Sequence, residues 1–136
     1  MKLARITIPH SILAGMRNHV EISLPNEACG LLGGKDGNVN IHIPVRNMVQ
    51  SPIEFRMDPE EQLRGLMLLD EQNVDLLAIY HSHPTGAANP SLTDLRSHLY
   101  PEAACIILAR KTPGWSIQAF WITEGNYSVI LLDEAD

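Results

Sequence analysis

The chain has 136 residues, 45% of them hydrophobic and 19% charged, which suits one domain able to bury its own core. A net charge of -6 offers no basic stripe to neutralise phosphates, and this argues against nucleic acid as the main partner. No apolar run approaches the roughly eighteen residues of a membrane span; Met1-Lys2-Leu3-Ala4-Arg5 leads into strand-like sequence without an apolar signal segment, so a cytoplasmic protein without a membrane partner is expected.

Residues 2–8 alternate apolar and polar side chains and predict a strand. Pro9 and Ser11 then open a helix whose apolar positions Ile12, Leu13, Met16 and Val20 keep the helical period, and Leu24-Pro25-Asn26 ends it. A second strand is expected over residues 27–32, closed by Gly33-Gly34. Asp36-Gly37 is a type I′ hairpin signal, with residues 39–45 returning as the third strand. Residues 46–55, with Pro52 among them, read as a loop. Asp58-Pro59-Glu60-Glu61 starts a helix, with a capping Asp, proline at the first helical position and acids at the positive end of the dipole. Leu63, Leu66 and Met67 are the expected buried face of that helix.

Leu76 to Tyr80 reads as a buried strand, and residues 91–100 as a short helix. Strands follow over residues 104–109, 117–122 and 127–132, separated by the turn signals Pro113-Gly114 and Glu124-Gly125-Asn126. The pattern predicts an α/β fold, residues 1–136 forming a single-domain, mixed, largely antiparallel sheet flanked by helices. Cys29 and Cys105 form no CxxC, which excludes a disulfide framework while leaving one bridge between them open.

The chemistry concentrates in His81-Ser82-His83-Pro84 and Ser91-Leu92-Thr93-Asp94, with seven residues between His83 and Ser91. Residues i and i+2 of a strand point to one side, so His81 and His83 can aim both rings at one point. Two imidazoles and a carboxylate are a normal zinc ligand set, and three protein ligands leave the fourth position to water, as in catalytic sites. Chance placement at a strand edge is the plainer reading of the same pair. Ser91-x-x-Asp94 is equally a capping box, and one carboxylate is not expected to serve fully both as cap and as ligand.

A catalytic zinc site also wants a carboxylate to take the water proton and pass it to a leaving amine. Glu27 is a candidate because it opens an otherwise apolar segment, Ala28-Cys29-Gly30-Leu31-Leu32; a strand-edge surface acid is its plain alternative. Glu54 is a weaker candidate, and Glu60 and Glu61 are better explained as helix-start charges.

Taken together, Glu27, His81-Ser-His83-Pro and Ser91-x-x-Asp94 resemble the JAMM motif of the MPN-plus metallopeptidases. Pro25-Asn26-Glu27-Ala28-Cys29-Gly30-Leu31-Leu32-Gly33, and a loop with Asn47 followed by Phe55-Arg56-Met57-Asp58-Pro59, are similar to the small prokaryotic members. The likeness runs from Ile6 to about Ile130. The resemblance implies a JAMM/MPN fold, related in its sheet to the cytidine deaminases. It implies that His81, His83 and Asp94 bind Zn2+, that Glu27 holds and deprotonates the water, and that Ser91 donates a hydrogen bond to the oxyanion. It further implies hydrolysis of the amide or isopeptide bond after the C-terminal Gly-Gly of a ubiquitin-like protein, through a zinc-activated water and without an acyl-enzyme.

The chain is short for the long insertions with which eukaryotic deubiquitinating members embrace ubiquitin. A sulfur-carrier protein of the ubiquitin-like type, losing an amino acid such as cysteine, is therefore the expected partner. A deubiquitinase-like isopeptidase and a catalytically silent MPN scaffold are the alternatives, although silent members typically lack a ligand and none is missing here. A deaminase would need Pro-Cys-x-x-Cys, which the sequence does not contain. A homodimer through an exposed strand edge is a further expectation. Cys29 and Cys105 read as small core residues, Trp115 and Trp121 as strand packing, and His10, His19, His42 and His98 as surface or local hydrogen bonders.

Overall fold

The structure, a computed structural model, describes residues 3–136. The elements follow one another as β1 (Arg5–Pro9), α1 (His10–Ser23), β2 (Cys29–Lys35), β3 (Asn38–Val45), α2 (Pro59–Glu71), β4 (Asp75–His83), α3 (Leu92–Ser97), β5 (Ala104–Arg110), β6 (Trp115–Thr123) and β7 (Asn126–Ala135). Each predicted element is present; of the first predicted strand, Lys2 lies outside the described residues. No described helix is long and apolar enough to cross a membrane.

The strands lie in the order β1-β3-β2-β4-β5-β6-β7, and β1 also pairs with β7, so the sheet closes on itself. The β1–β3, β1–β7 and β4–β5 pairs are parallel and the other four are antiparallel, the mixed arrangement the pattern predicted. Among the described pairings, β1 is bonded to β7 at five positions and touches β3 at Thr7↔Asn38. The chain leaves β1 through α1 instead of a hairpin, and such a crossover is what lets a strand lie parallel to its neighbours.

The β2–β3 hairpin turns at Asp36 and Gly37 with φ of 52° and 79°, the two positive values a type I′ turn requires. Two expectations for β2 are corrected. The strand starts at Cys29, leaving Glu27 and Ala28 in the approach to it, and it runs on through Gly33 and Gly34 to Lys35. These glycines mark a break in register instead of an end: pairing shifts between Leu32 and Gly33 against β4 and between Gly33 and Gly34 against β3.

The buried face of α2 also differs from expectation. Leu63 and Met67 are 58% and 53% exposed, Leu66 is half-buried, and Gly65 and Leu69 are buried. Glycine sets this seating. A Cβ at Gly65 would lie 2.8 Å from Leu31 Cδ1, and a Cβ at Gly33 would lie 2.3 Å from Leu69 Cδ2. The helix therefore rests on the stripe Gln62, Gly65, Leu66 and Leu69, a valid helical face shifted from the one suggested by Leu63 and Met67. Its N-terminus is as read: the Asp58 side chain accepts from the N–H groups of Glu60 and Glu61.

Strand alternation on β4 separates two environments. Ala78 and Tyr80 join the main core with Ile6, Ile8, Leu13, Met16 and Val20 of β1 and α1. Ile79 faces the other way, packing with Cys29, Leu31, Val45 and Met57 against the α2 side. His81 and His83 continue that second face toward α3.

Candidate active site

The two imidazoles and the carboxylate meet. His81 Nε2 and His83 Nε2 are 3.1 Å apart, and each is 3.0 Å from Asp94 Oδ2. The side chains come from the end of β4 and the first turn of α3, and all three residues are buried.

Asp94 caps and converges on the histidines at once. Its Oδ2 accepts from the Ser91 N–H at 2.9 Å, while the Asp94 N–H donates to Ser91 Oγ at 3.1 Å, a complete capping box. The expected competition between the two roles does not arise, because one oxygen accepts the amide and still faces both rings. Burial alone would raise the Asp94 pKa, but hydrogen bonds from His81, His83 and the Ser91 N–H hold it well below the usual carboxylate range.

The donor set fits a cation. His83 Nδ1 lies 2.6 Å from the Ala87 carbonyl, which can only accept, so Nδ1 carries the proton. In the neutral ring Nε2 then presents a lone pair toward a carboxylate oxygen and a second imidazole nitrogen. Three such atoms within 4.8 Å of one another satisfy each other poorly and a shared metal ion well. Burial lowers the His83 pKa, but hydrogen bonds with Asp94 and Ala87 outweigh it and hold the ring above its ordinary value; for His81, burial wins and the pKa falls.

Glu27 is a buried acid, 3% exposed, and its Oε1 has no hydrogen-bond partner. Burial pushes its pKa up to about 8, with His83 lowering it and Asp94 and Glu54 raising it. The plain surface-acid reading is thus excluded by its environment. Glu54 faces the same region, whereas Glu60 is exposed and Glu61 accepts from the Arg46 N–H at 2.8 Å, as helix-start acids should. The Ser91 hydroxyl accepts one hydrogen bond in its cap and keeps its own proton to donate.

Beside His81 and Asp94 lies a cleft of about 480 Å3, walled by Val49, Phe55, Met57 and Tyr100. Three residues that the sequence left without a role shape this region. Ser82 holds the approach to β2: its hydroxyl accepts from the Ala28 N–H at 2.8 Å. Asn47 and Phe55 organise the 46–57 loop, with Phe55 stacked on His81. Asn47 carried a signal of a kind, since a loop without regular structure needs side-chain partners for its backbone. Phe55 carried none beyond its family flank.

The remaining residues are structural. Both cysteines are free and buried, the Cys29 thiol donating a hydrogen bond to the Val45 carbonyl at 3.4 Å. His19 Nδ1 and His42 Nε2 flank the Tyr80 hydroxyl at 2.6 and 2.7 Å on the core side of β4, and His98 bonds the Ala103 carbonyl. His10 lies near Glu134 and Asp136. Trp115 is buried on β6, as strand packing predicts, and donates to Glu21 at 2.7 Å.

Comparison with known proteins agrees with this geometry. The family model described as prokaryotic homologs of the JAB domain matches residues 9–123. The CysO-cysteine peptidase of Mycobacterium tuberculosis is 32% identical over 110 residues, covering 79% of this chain and 75% of its own. A probable TtuB-protein conjugate cleaving protease of Thermus thermophilus is 38% identical over 90 residues, covering 65% and 60%. The solution structure of a Desulfitobacterium hafniense protein superposes with a TM-score of 0.87 at 32% identity, covering 96% of this chain and 93% of that one. With its His-His-Asp cluster, buried glutamate and closed mixed sheet, the chain belongs to the prokaryotic JAB family, and it is a JAMM-type hydrolase.

Proposed function

We propose that this protein is a zinc-dependent peptidase that hydrolyses the amide or isopeptide bond after the C-terminal Gly-Gly of a ubiquitin-like sulfur-carrier protein. The observation that carries this reading is the pairing of a His81-His83-Asp94 cluster, two members of which line an open cleft, with a buried Glu27 whose carboxylate Oε1 has no hydrogen-bond partner and which feels the charges of His83 and Asp94. Relatives named for CysO-cysteine and for TtuB-protein conjugates support a carrier as substrate. Gly-Gly follows from the motif resemblance, and residues without side chains suit a narrow scissile channel.

His81, His83 and Asp94 would hold the zinc, which would supply a Lewis acid able to polarise a carbonyl and to acidify water. Glu27 takes the proton from the attacking water at its free Oε1 and passes it to the leaving nitrogen. Its pKa, pushed to about 8 by burial, suits a group that must both accept and release a proton near neutral pH. Ser91 donates a hydrogen bond from its hydroxyl to the oxyanion, in the manner of a preorganised donor. Neither cysteine competes as a nucleophile, since burial pushes the Cys29 thiol up to about 12 and raises that of Cys105 as well.

Mass spectrometry of carriers with Gly-Gly-Cys or Gly-Gly-Lys tails, incubated with zinc-loaded protein and with Glu27→Ala, tests the proposal. Loss of the residue after Gly-Gly with wild type alone is the expected result. No cleavage of any tail by protein carrying one zinc would overturn the assigned substrate.

A further inference from the structure

A metal-ligating imidazole is normally held by a hydrogen bond at its second nitrogen, which fixes both tautomer and ring orientation. His83 conforms through the Ala87 carbonyl. His81 does not: its Nδ1 is buried and has no hydrogen-bond partner. What lies against the His81 ring is Phe55, with centroids 4.6 Å apart and planes inclined by 27°. Stacking of this kind restricts the ring plane as a hydrogen bond would, by shape instead of by a proton.

Phe55 belongs to no helix or strand, so something else must hold it. That is Asn47. Its Oδ1 accepts from the N–H groups of Arg56 at 2.9 Å and Val49 at 3.0 Å. Its Nδ2 donates to the carbonyls of Glu54 at 3.3 Å and Glu27 at 3.0 Å. One amide thereby uses all four of its hydrogen bonds. Two grip the residues on either side of Phe55, and a third reaches the backbone of the proposed base. The partners also fix the amide's orientation, since the oxygen meets only N–H groups and the nitrogen only carbonyls. A further bond, from the Glu27 N–H to the Ser51 carbonyl at 2.8 Å, ties the same loop to the same residue.

We propose that Asn47 and Phe55 are positioning residues that act as one clamp, setting the ring plane of His81 and the backbone of Glu27 in a fixed relation across the metal centre. Metal geometry and placement of the base are then coupled through a loop that holds no ligand. The inference rests on the reading of His81, His83 and Asp94 as a metal site, but not on the identity of the substrate.

The test uses the full chain and the variants Phe55→Leu, Phe55→Tyr and Asn47→Asp. Zinc affinity is measured by chelator competition, the cobalt-substituted proteins are compared by their electronic spectra, and kcat and KM are measured on a cleavable carrier. Phe55→Leu keeps an apolar filler but loses the stack, and should weaken zinc binding about 10–100-fold, the scale of removing an outer-shell partner. It should also shift the cobalt spectrum, while Phe55→Tyr restores both. Asn47→Asp turns a carboxylate toward two carbonyls and should lower kcat with little change in KM, with the same spectral shift. Wild-type zinc affinity and an unchanged cobalt spectrum in Phe55→Leu would overturn the clamp. Should Phe55→Leu fail to fold, the spectra of Phe55→Tyr and Asn47→Asp decide: the first unchanged and the second shifted supports the clamp, and any other pattern overturns it. Wild-type protein that binds neither metal would instead overturn the metal-site reading beneath it.

Discussion

Ser82 and Ala28 are bonded to each other twice. The Ala28 N–H donates to the Ser82 hydroxyl at 2.8 Å, and the Ser82 N–H donates to the Ala28 carbonyl at 3.0 Å. Ser82 stands between the two histidines of β4, and Ala28 directly follows Glu27. The pair therefore fastens the chain carrying the proposed base to the strand carrying two of the proposed ligands, with both partners buried.

Ser82→Ala should consequently be costly. It removes the acceptor for a buried N–H, a loss of about 1–3 kcal/mol, measurable by urea denaturation. Zinc stoichiometry should stay at wild type, since no ligand changes. Stability equal to wild type would mean that the Ala28 amide finds another acceptor.

Glu27→Ala should bind zinc as wild type does and lose turnover by about 10²–10⁴-fold, the contribution of one positioned acid–base group. His83→Ala should lose both metal and turnover. Metal analysis alongside a carrier-cleavage assay separates the two. Near wild-type rates for Glu27→Ala would assign the proton transfers elsewhere, with Glu54 the nearest alternative.

Ser91 is placed to cap and to donate, so its two roles should separate by substitution. Ser91→Ala should lose about 10²–10³-fold in turnover and about 1 kcal/mol of stability with its cap. Ser91→Gly, which costs only a few tenths of a kcal/mol at an N-cap and carries no side-chain donor, should keep most of the stability without the turnover. Full activity in Ser91→Gly would show that the Ser91 hydroxyl has no part in the reaction.

The histidines on the core side of β4 give the fold an acid limit. Burial, reinforced by the charge of His19, lowers the His42 pKa from 6.5 to about 4. The folded protein keeps His42 neutral in a range where the unfolded chain already binds a proton. The stability contribution is complete above about 6.5 and is lost as pH falls through 4. His42→Gln, which can still bond the Tyr80 hydroxyl, should flatten the decline across this window in thermal melts of metal-free protein. An unchanged slope would place the acid sensitivity in another group.

The motif was legible because its parts are local. His81 and His83 need only the two-residue period of a strand to share a side, and Ser91 and Asp94 need only one helical turn to form their box. The Asp36-Gly37 turn and the Asp58-Pro59 helix start are likewise decided by backbone preferences of adjacent residues. Other features depended on the approach of distant segments. Leu63 and Met67 looked like a buried face until Gly33 and Gly65 let α2 settle on a neighbouring stripe. The sheet closes because β1 joins β7 from the far end of the chain. Glu27 was ambiguous because its pKa depends on what surrounds it, and Asn47 and Phe55 had no role because theirs exists only once the loop lies against His81. The sequence by itself determined the proposed ligand types, their spacing and the elements that carry them, since these follow from short-range geometry. Closure of the sheet, burial of Glu27 and the packing around His81 and His83 were decided only by the tertiary structure, because desolvation and close packing are properties of neighbours that the chain does not place side by side.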